Sequence, residues 1–385
     1  MRPPFIFPDV TIPARTLQLG SRARPGRSAP LSVGIIGTRG IPNAHGGFEQ
    51  FVENLVRDPL WSEEAVSFRV YGESVDLDIA RWARAVHIPI VKRLHPVRYY
   101  VAGLRRAMHE CDVVFCCGVG IGAFALLPRI AGIPLVLNPD GCEWRRSKWS
   151  GVIRFGVRLS YAPAMWLADR IILDAEALRE DFGRLVGQRA EYIGYQAPSP
   201  GIVPLSEVTR RRFALHRPFV LVIARLEPEN SVRLAVEAMR LCEDLAVDLI
   251  IIGPTTTPHY RETLAHLASP RIRFLGGIYE QATLDELRGG CVAYVHGHTV
   301  GGTNPSLLEA LARASGPIFC HENKYNREVA ASGAEYFGTA EALAQLMRAA
   351  VLAPRLRVPM EDPRFTSRHI AHRYLAIFRS VTEAD

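Results

Sequence analysis

The sequence predicts an α/β protein made of two doubly wound domains, each with a parallel sheet covered by helices on both faces. Three observations predict this class. The chain has 385 residues, enough for two domains of about 150 residues. Short apolar runs rich in Val and Ile alternate with helical stretches, in two successive series. A stretch that opens with three prolines, residues 197–217, separates the two series and is expected to be a linker.

The composition is that of a globular protein and excludes several other classes. Hydrophobic residues make up 48% of the chain and charged residues 22%, which excludes a mainly disordered, collagenous or disulfide-stapled chain. The uncharged 16-residue run Val113–Pro128 contains three glycines and is shorter than a membrane-spanning helix requires. The seven cysteines form no CxxC pair and are expected to be buried thiols in a reducing compartment. Because no apolar secretory signal opens the chain, a cytoplasmic protein is expected.

Residues 1–30 hold six prolines, five arginines and one acid. This composition predicts a basic tail without regular structure. The whole chain carries a net charge of +7, but three of its 46 basic residues are lysine. Such a preference for arginine reflects genome composition, and we expect no nucleic-acid partner.

The first series of apolar runs defines an N-terminal domain, 31–196, and the second a C-terminal domain, 218–364. Strands are predicted at 31–36, 66–71, 86–90, 112–117, 133–138, 169–174 and 190–194, then at 219–224, 247–252, 271–275, 291–296, 317–320 and 334–337. Parallel sheets of this kind bind ligands beyond the carboxyl ends of their strands, at helix N-termini. A ligand cleft between the domains is therefore expected.

The first strand leads into a glycine-rich loop, residues 37–47, which contains Arg39 and His45. A helix follows, with apolar residues spaced at i, i+3, i+4, i+7 and i+8 from Phe48. Gly46 and Gly47 therefore lie at a helix N-terminus, where bare amides attract a phosphate. No Gly-Lys-Ser/Thr follows, which excludes a P-loop.

A second glycine loop offers an alternative function. Gly118–Ala123 matches the relaxed dinucleotide fingerprint, and Asp140 follows twenty residues after Gly120. This pattern is typical of a nicotinamide-dependent oxidoreductase. However, it lies in a middle strand–helix unit and not in the first, so a tight turn for close packing explains it as well.

The C-terminal domain contains two segments suited to a diphosphate. Arg225 stands at the end of a strand, where a guanidinium can grip two phosphate oxygens, although a structural ion pair with Glu227 or Glu229 is the simpler explanation. Asn304 fits an N-cap and Pro305 the first helical position, so helix amides follow a glycine loop directly.

The residues 301–310, GGTNPSLLEA, resemble the donor-site signature of retaining GT-B glycosyltransferases of family 4. The loop 37–49, GTRGIPNAHGGFE, is similar to that of a bacterial rhamnosyltransferase-like branch that builds cell-surface polysaccharides. Segments 138–149 and 224–230 fit the same branch. The resemblance covers about residues 31–380 and implies a GT-B fold, that is, two Rossmann-like domains facing a cleft.

This resemblance also implies a terminal helix, within residues 365–385, that crosses back to the first domain. It implies transfer of a hexose from a nucleoside-diphosphate sugar, with retention, to a growing lipid-linked glycan. No metal or other cofactor is implied, and rhamnose is inherited from the name of the branch. The departing phosphate itself can take the acceptor proton in the scheme proposed for this family.

Site residues follow from the same resemblance. Glu309 matches a glutamate that binds the donor ribose, whereas Gly301 replaces the glutamate that usually precedes it. Arg225 matches the diphosphate arginine, and Asn230 replaces a lysine. The expected donor-binding residues are Gly46, Gly47, Arg39, Arg225, Asn230, His296, Gly302, Thr303, Asn304, Ser306 and Glu309. Asp140, His45 and Glu143 are expected to assist catalysis as base or orienting group. The substitutions at 301 and 230 also fit an inactive paralogue that binds a nucleotide sugar.

Other patterns have simpler explanations. Asp76 and Asp78 mimic a metal-binding DxD but lie in a polar loop, and His296 and His298 lack a recognised zinc spacing. Basic and aromatic residues intermix in 81–109 and 142–158. They fit either solvated helix faces or peripheral contact with an anionic membrane, at whose cytoplasmic side a polyprenyl-pyrophosphate-linked acceptor would lie.

Overall fold

The structure, a computed structural model, describes residues 30–43, 46–145, 151–183, 186–255, 258–359 and 361–383. The predicted tail, save its last residue, and His45 lie outside these residues. The chain forms two compact units. The first contains most residues up to Gly194 and the residues from Arg368 onward, and the second consists mainly of Tyr195–Ser367.

The first unit is built on an eight-stranded sheet of order β3-β4-β2-β1-β5-β6-β7-β8, parallel except for the β3–β4 pair. Its strands are β1 (Leu31–Ile36), β2 (Val66–Gly72), β3 (Leu77–Ala80), β4 (Ala83–His87), β5 (Val113–Cys117), β6 (Leu135–Asn138), β7 (Arg170–Leu173) and β8 (Ala190–Tyr192). Its helices are α1 (Gly47–Arg57), α2 (Leu60–Glu63), α3 (Pro96–Glu110), α4 (Leu126–Ile130), α5 (Gly151–Leu167), α6 (Leu178–Phe182) and the terminal helix Ser367–Glu383.

One strand differs from its prediction. The run 86–90 was expected to form a strand, but the strand is Ala83–His87 and pairs with an antiparallel neighbour, β3. The β3 strand was not predicted because it is a four-residue edge strand with no buried residue and no continuous apolar run. Asp76 closes this hairpin, since its carboxylate accepts the His87 amide at 2.8 Å and lies 3.2 Å from the Arg84 guanidinium.

The second unit contains a six-stranded parallel sheet of order β11-β10-β9-β12-β13-β14. Its strands are β9 (Phe219–Ile223), β10 (Asp248–Ile252), β11 (Ile272–Phe274), β12 (Ala293–His296), β13 (Ile318–His321) and β14 (Glu335–Phe337). Its helices are α7 (Glu207–Arg212), α8 (Val232–Arg240), α9 (Pro258–Ala265), α10 (Gln281–Gly290), α11 (Pro305–Arg313), α12 (Lys324–Ala330) and α13 (Ala340–Leu352), so that Ser367–Glu383 becomes α14. The stretch 197–217, expected to be a linker, lies in this unit and includes α7.

Burial of apolar side chains holds each unit together. In the second unit, α8 and α13 cover one face of the sheet and enclose a core that includes Val222, Ile251 and Met347. In the first unit, Tyr374 and Phe378 of α14 pack against Phe115 of β5, with ring centroids 5.4 and 5.9 Å apart. The terminal helix is therefore part of the core of the first unit.

All seven cysteines are free and buried, as predicted. Burial raises the pKa of several of these thiols, that of Cys291 and Cys320 to about 12, so they remain protonated at neutral pH. None of the described helices is long and apolar enough to cross a membrane.

Candidate functional site

The loop after β1 is tightly determined. Gly37 has φ +92°, and a Cβ there would lie 2.1 Å from the Cys117 carbonyl oxygen, so that the position requires glycine. The Thr38 hydroxyl accepts the Gly40 amide at 3.1 Å, and the Tyr99 hydroxyl donates to the Thr38 carbonyl at 2.5 Å. The backbone is therefore fixed where Arg39 projects from it.

The N-terminus of α1 already has a carboxylate beside it. Gly46 is the N-cap, and a Cβ on it would lie 3.6 Å from a carboxylate oxygen of Glu49, a buried residue of the first turn. The same side chain accepts the Arg39 amide at 2.8 Å. The helix end formed by Gly46 and Gly47 is thus less positive than the sequence alone predicts.

A half-buried lysine also contacts this loop, and the sequence analysis did not single it out. The Lys92 ammonium donates to the Gly37 carbonyl and lies 5.4 Å from the centre of the Tyr100 ring. Burial lowers its pKa, and nearby Glu49 partly opposes this shift. The rarity of lysine in this chain is the one sequence feature that could have drawn attention to Lys92.

Asp140 and Glu143 follow β6. Asp140 has φ +64°, a conformation that aspartate tolerates better than most residues, and its amide donates to the Asn138 side chain at 3.0 Å. The Glu143 amide donates to the Tyr161 hydroxyl at 3.1 Å, and that hydroxyl donates to the Gly141 carbonyl at 2.7 Å. The turn is therefore held in a specific shape, with both carboxyl-bearing residues half-buried.

The glycines of the alternative dinucleotide loop accommodate an aromatic ring. A Cβ on Gly120 would lie 2.2 Å from the Tyr100 ring, and one on Gly118 would lie 2.9 Å from its hydroxyl. The Tyr100 hydroxyl donates to the Cys117 carbonyl at 3.0 Å. Close packing explains this glycine pattern without a cofactor.

In the second unit, Arg225 and Asn230 share one turn after β9. The Asn230 amide group donates to the Arg225 carbonyl at 2.6 Å, so its side chain is used within the turn. The Arg225 side chain is 41% exposed, and its guanidinium lies 4.0 Å from the buried Glu227 carboxylate. This long, partly solvated contact leaves the guanidinium accessible to an anion.

The loop after β12 is anchored on two sides. The Thr299 amide and hydroxyl both donate to the Glu229 carbonyl at 2.9 Å. The side-chain amides of Asn323 and Asn326 donate to the His298 carbonyl at 2.9 and 3.0 Å. Because β9 and β12 are neighbours in the sheet, these contacts bring the Arg225 turn and the glycine loop together.

The N-terminus of α11 is capped by its own chain. As predicted, Asn304 is the N-cap, and its side chain accepts the Ser306 amide at 2.9 Å. The Ser306 hydroxyl lies 2.6 Å from the Tyr294 hydroxyl and donates to the Ile223 carbonyl at 3.1 Å. The Ser306 amide is therefore already hydrogen-bonded within the chain, although a free helix N-terminus was expected here.

Glu309 is buried beside an arginine that sequence reasoning missed. The guanidinium of Arg288, from α10, donates to the Glu309 carboxylate and is fully buried. It also lies 3.4 Å from the Asp285 carboxylate. The carboxylates hold the pKa of Arg288 above its ordinary value despite burial, which itself lowers the pKa. No pattern marks this pair, because 21 residues separate its members.

His296 ends β12 and is 1% exposed. Its ring stacks on that of His298, with centroids 4.3 Å apart, and neither ring nitrogen has a hydrogen-bond partner within the described chain. Burial lowers the pKa of His296 to about 3, so the ring is neutral at physiological pH.

The predicted site residues thus form two groups, one in each unit. Arg39, Gly46, Gly47, Asp140 and Glu143 lie at the carboxyl ends of β1 and β6 in the first unit. The second group lies at the carboxyl ends of β9 and β12. His296 ends β12, Gly302, Thr303 and Asn304 lie in the loop that follows it, and Arg225 follows β9. Among the described residues, no cluster of three or more His, Cys, Asp or Glu side chains is placed to hold a metal ion.

Two family descriptions match separate parts of the chain. Residues 31–197 match a family described as a domain of unknown function (DUF1972). Residues 207–362 match the family described as glycosyl transferases group 1. No curated protein matches the chain in sequence.

Similar solved structures cover nearly the whole chain. They include a sucrose-phosphate synthase from Thermosynechococcus elongatus, 14% identical over 92% of this chain and 100% of that chain, with a TM-score of 0.74. Anabaena HepE in complex with UDP and glucose is 16% identical over 91% of this chain and 100% of that chain, with a TM-score of 0.67. An α,α-trehalose 6-phosphate synthase from Burkholderia multivorans is 15% identical over 92% and 99%, with a TM-score of 0.62. These likenesses show the fold, which is the predicted GT-B fold.

Proposed function

We propose that this chain, whose residues 207–362 match glycosyl transferases group 1, is a retaining hexosyltransferase that uses a nucleoside-diphosphate sugar. The observation that carries the proposal is the position of that domain's loops. Its Arg225 turn and its glycine loop meet at the carboxyl ends of adjacent parallel strands, which is where doubly wound sheets bind nucleotides.

In the proposed reaction the leaving group is the nucleoside diphosphate. The accessible Arg225 guanidinium would donate two parallel hydrogen bonds to the diphosphate and so stabilise its developing negative charge. The positive end of the α11 dipole, at Asn304, would stabilise the same charge. Neither group needs to reorganise, since the turn and the helix end are both fixed by hydrogen bonds. We assign no metal ion to this step.

Asp140, Glu143 and His45 remain proposed as base or orienting group in catalysis, and Arg39, Gly46 and Gly47 remain proposed as donor-binding residues of the first unit. The positive φ of Asp140 supports this assignment, because strained residues cluster at functional sites. We propose a growing, polyprenyl-pyrophosphate-linked glycan as acceptor, reached by peripheral contact with the cytoplasmic face of an anionic membrane. The resemblance to the rhamnosyltransferase-like branch suggests rhamnose as the sugar.

The first test is thermal unfolding in the presence of UDP, dTDP, GDP or NAD. A nucleoside diphosphate at a hundred times its Kd adds about 2.7 kcal/mol to the free energy of unfolding. That should raise Tm by about 2–4 °C. Stabilisation by NAD alone would contradict the proposal and favour the Gly118 loop.

The role of Glu309 needs a separate test, because its pairing with Arg288 gives it a structural role as well. We propose that its carboxylate also binds the donor ribose. Wild type should then bind the stabilising nucleoside diphosphate more tightly than its 2′,3′-dideoxy analogue, and Glu309→Gln should lose this discrimination. Glu243→Gln, at an exposed glutamate of the same unit, is the control and should keep it. Unchanged discrimination in Glu309→Gln would show that the pair with Arg288 is its whole role.

A second candidate function is nucleotide-sugar binding without transfer. It is favoured by Asn230, whose side chain is used within its own turn and brings no cation to the site. Measurable sugar transfer by the purified chain would exclude it.

A further inference from the structure

Most exposed apolar side chains of the first unit are concentrated on one part of it. Thirteen large hydrophobic side chains are exposed in the described part of this unit, and eleven of them fall within residues 91–97, 124–130 and 152–159. Contiguous exposed apolar surface of this kind marks a contact with another molecule or a membrane.

These three segments are neighbours in space. A Cβ on Gly120 would meet the Tyr100 ring of α3, which places the segment before α4 against the start of α3. A Cβ on Gly122 would lie 3.6 Å from the Ser160 Cβ of α5. The start of α3, the 119–130 segment and α5 therefore form one surface, which we call the α5 face.

The first half of α5 has the pattern of an interfacial helix. Val152, Phe155 and Leu159 are 86%, 64% and 55% exposed. Their spacing of three and four residues puts them on one stripe of the helix. Arg154 and Arg158 are also exposed and lie about 100° around the helix from Phe155 and Leu159, so a basic stripe flanks the apolar one.

The segment that includes this surface carries an excess of positive charge. Residues 81–168 contain thirteen Lys and Arg residues but four acids, which are Glu110, Asp112, Asp140 and Glu143. None of these acids is fully exposed. Glu110 lies 3.2 Å from the Arg106 guanidinium, and Asp112 accepts the Ser32 hydroxyl at 2.6 Å. The α5 face therefore combines apolar side chains with positive potential.

We infer that the α5 face inserts Val152, Phe155 and Leu159 into an anionic lipid bilayer, with Arg154 and Arg158 at the lipid headgroups. This inference rests on the membrane contact proposed above and assigns it to a surface and a mode of binding. A second copy of the chain is a poorer occupant, because the symmetric contact would place like-charged arginine stripes against each other.

The first experiment measures binding of the full chain to vesicles of phosphatidylglycerol and phosphatidylcholine by co-sedimentation. Replacing Val152, Phe155 and Leu159 together by Ser should weaken partitioning about tenfold or more. The matched control replaces three equally exposed residues of the second unit, Val208, Leu356 and Val358, by Ser and should bind as wild type. Both variants should keep the wild-type Tm, because every altered side chain is exposed.

The second experiment reports insertion directly. All seven native cysteines are buried, so Ile153→Cys can be labelled selectively with an environment-sensitive fluorophore. Its emission should rise and shift to the blue with anionic vesicles, whereas a label at Val208→Cys should not respond.

The outcomes separate the two proposals. If wild type binds vesicles but the triple Ser variant binds equally well, the α5 face is not the inserting surface and the inference is overturned. If wild type does not bind at low salt, the membrane contact itself fails. A concentration-dependent dimer that the triple Ser variant abolishes would make a second copy the occupant. Tm shifts with nucleoside diphosphates test donor binding independently of all three results.

Discussion

His296 is expected to make the second unit less stable in mild acid. Its ring is fully buried, and burial alone lowers its pKa from 6.5 to about 3. In the unfolded chain the ring takes up a proton below pH 6.5, whereas in the folded chain it stays neutral until about pH 3. The unfolded state therefore binds more protons between these values, and stability falls as the pH falls.

The magnitude follows from these two pKa values. Above pH 6.5 the contribution of His296 to the pH dependence vanishes. Between pH 8 and pH 5, protonation of the unfolded ring lowers the free energy of unfolding by about 2 kcal/mol. His321, whose pKa is also lowered by burial, acts in the same direction, so the effect of His296 must be measured as a difference between variants.

Urea denaturation at pH 8 and pH 5 provides the assay. His296→Phe and His296→Asn cannot titrate at this position and should each lose about 2 kcal/mol less than wild type between the two pH values. The slope compared is the change in the free energy of unfolding between pH 8 and pH 5. The variants' absolute stability at pH 8 therefore does not affect the comparison. His266→Asn, on an exposed position of the same unit, should keep the wild-type slope. A wild-type slope in both His296 variants would refute the burial argument.

Three further predictions concern stability. Arg288→Met should lower the free energy of unfolding by about 3–5 kcal/mol in urea, because it removes the buried cation beside the Glu309 carboxylate. A loss below about 1 kcal/mol would mean that the pair contributes little. Gly297→Ala should lower Tm, because its Cβ would lie 2.3 Å from the Asn230 carbonyl oxygen, whereas Gly338→Ala meets nothing within 4 Å and should not; equal effects would contradict the packing argument. Phe378→Ala should cost about 3–5 kcal/mol, as measured by urea denaturation, and an unchanged midpoint would show that α14 does not support the first core.

The strands could be read from the sequence because a parallel strand covered on both faces is an unbroken apolar run. All but β3 overlap a predicted run, and β3 was missed because an exposed edge hairpin such as Leu77–Ala80 carries no such pattern. Its position depends on pairing with β4 and on the Asp76 contacts.

The side-chain chemistry of the site was less predictable. Local rules identified the Asn304 cap and the glycine turns, since these depend on adjacent residues. Arg288 and Glu309 were not predicted to pair, because 21 residues separate them and the fold sets the distance between their side chains. The Glu49 carboxylate beside Gly46 was not anticipated either, although only three residues separate the two.

The place of α14 in the first unit has a consequence for synthesis of the chain. Tyr374 and Phe378 complete a core whose other members, such as Phe51 and Phe115, are made more than 250 residues earlier. The second unit lies between them in the sequence and is complete before α14 is made. The N-terminal unit, although first to leave the ribosome, must therefore wait for the last residues before its core can close.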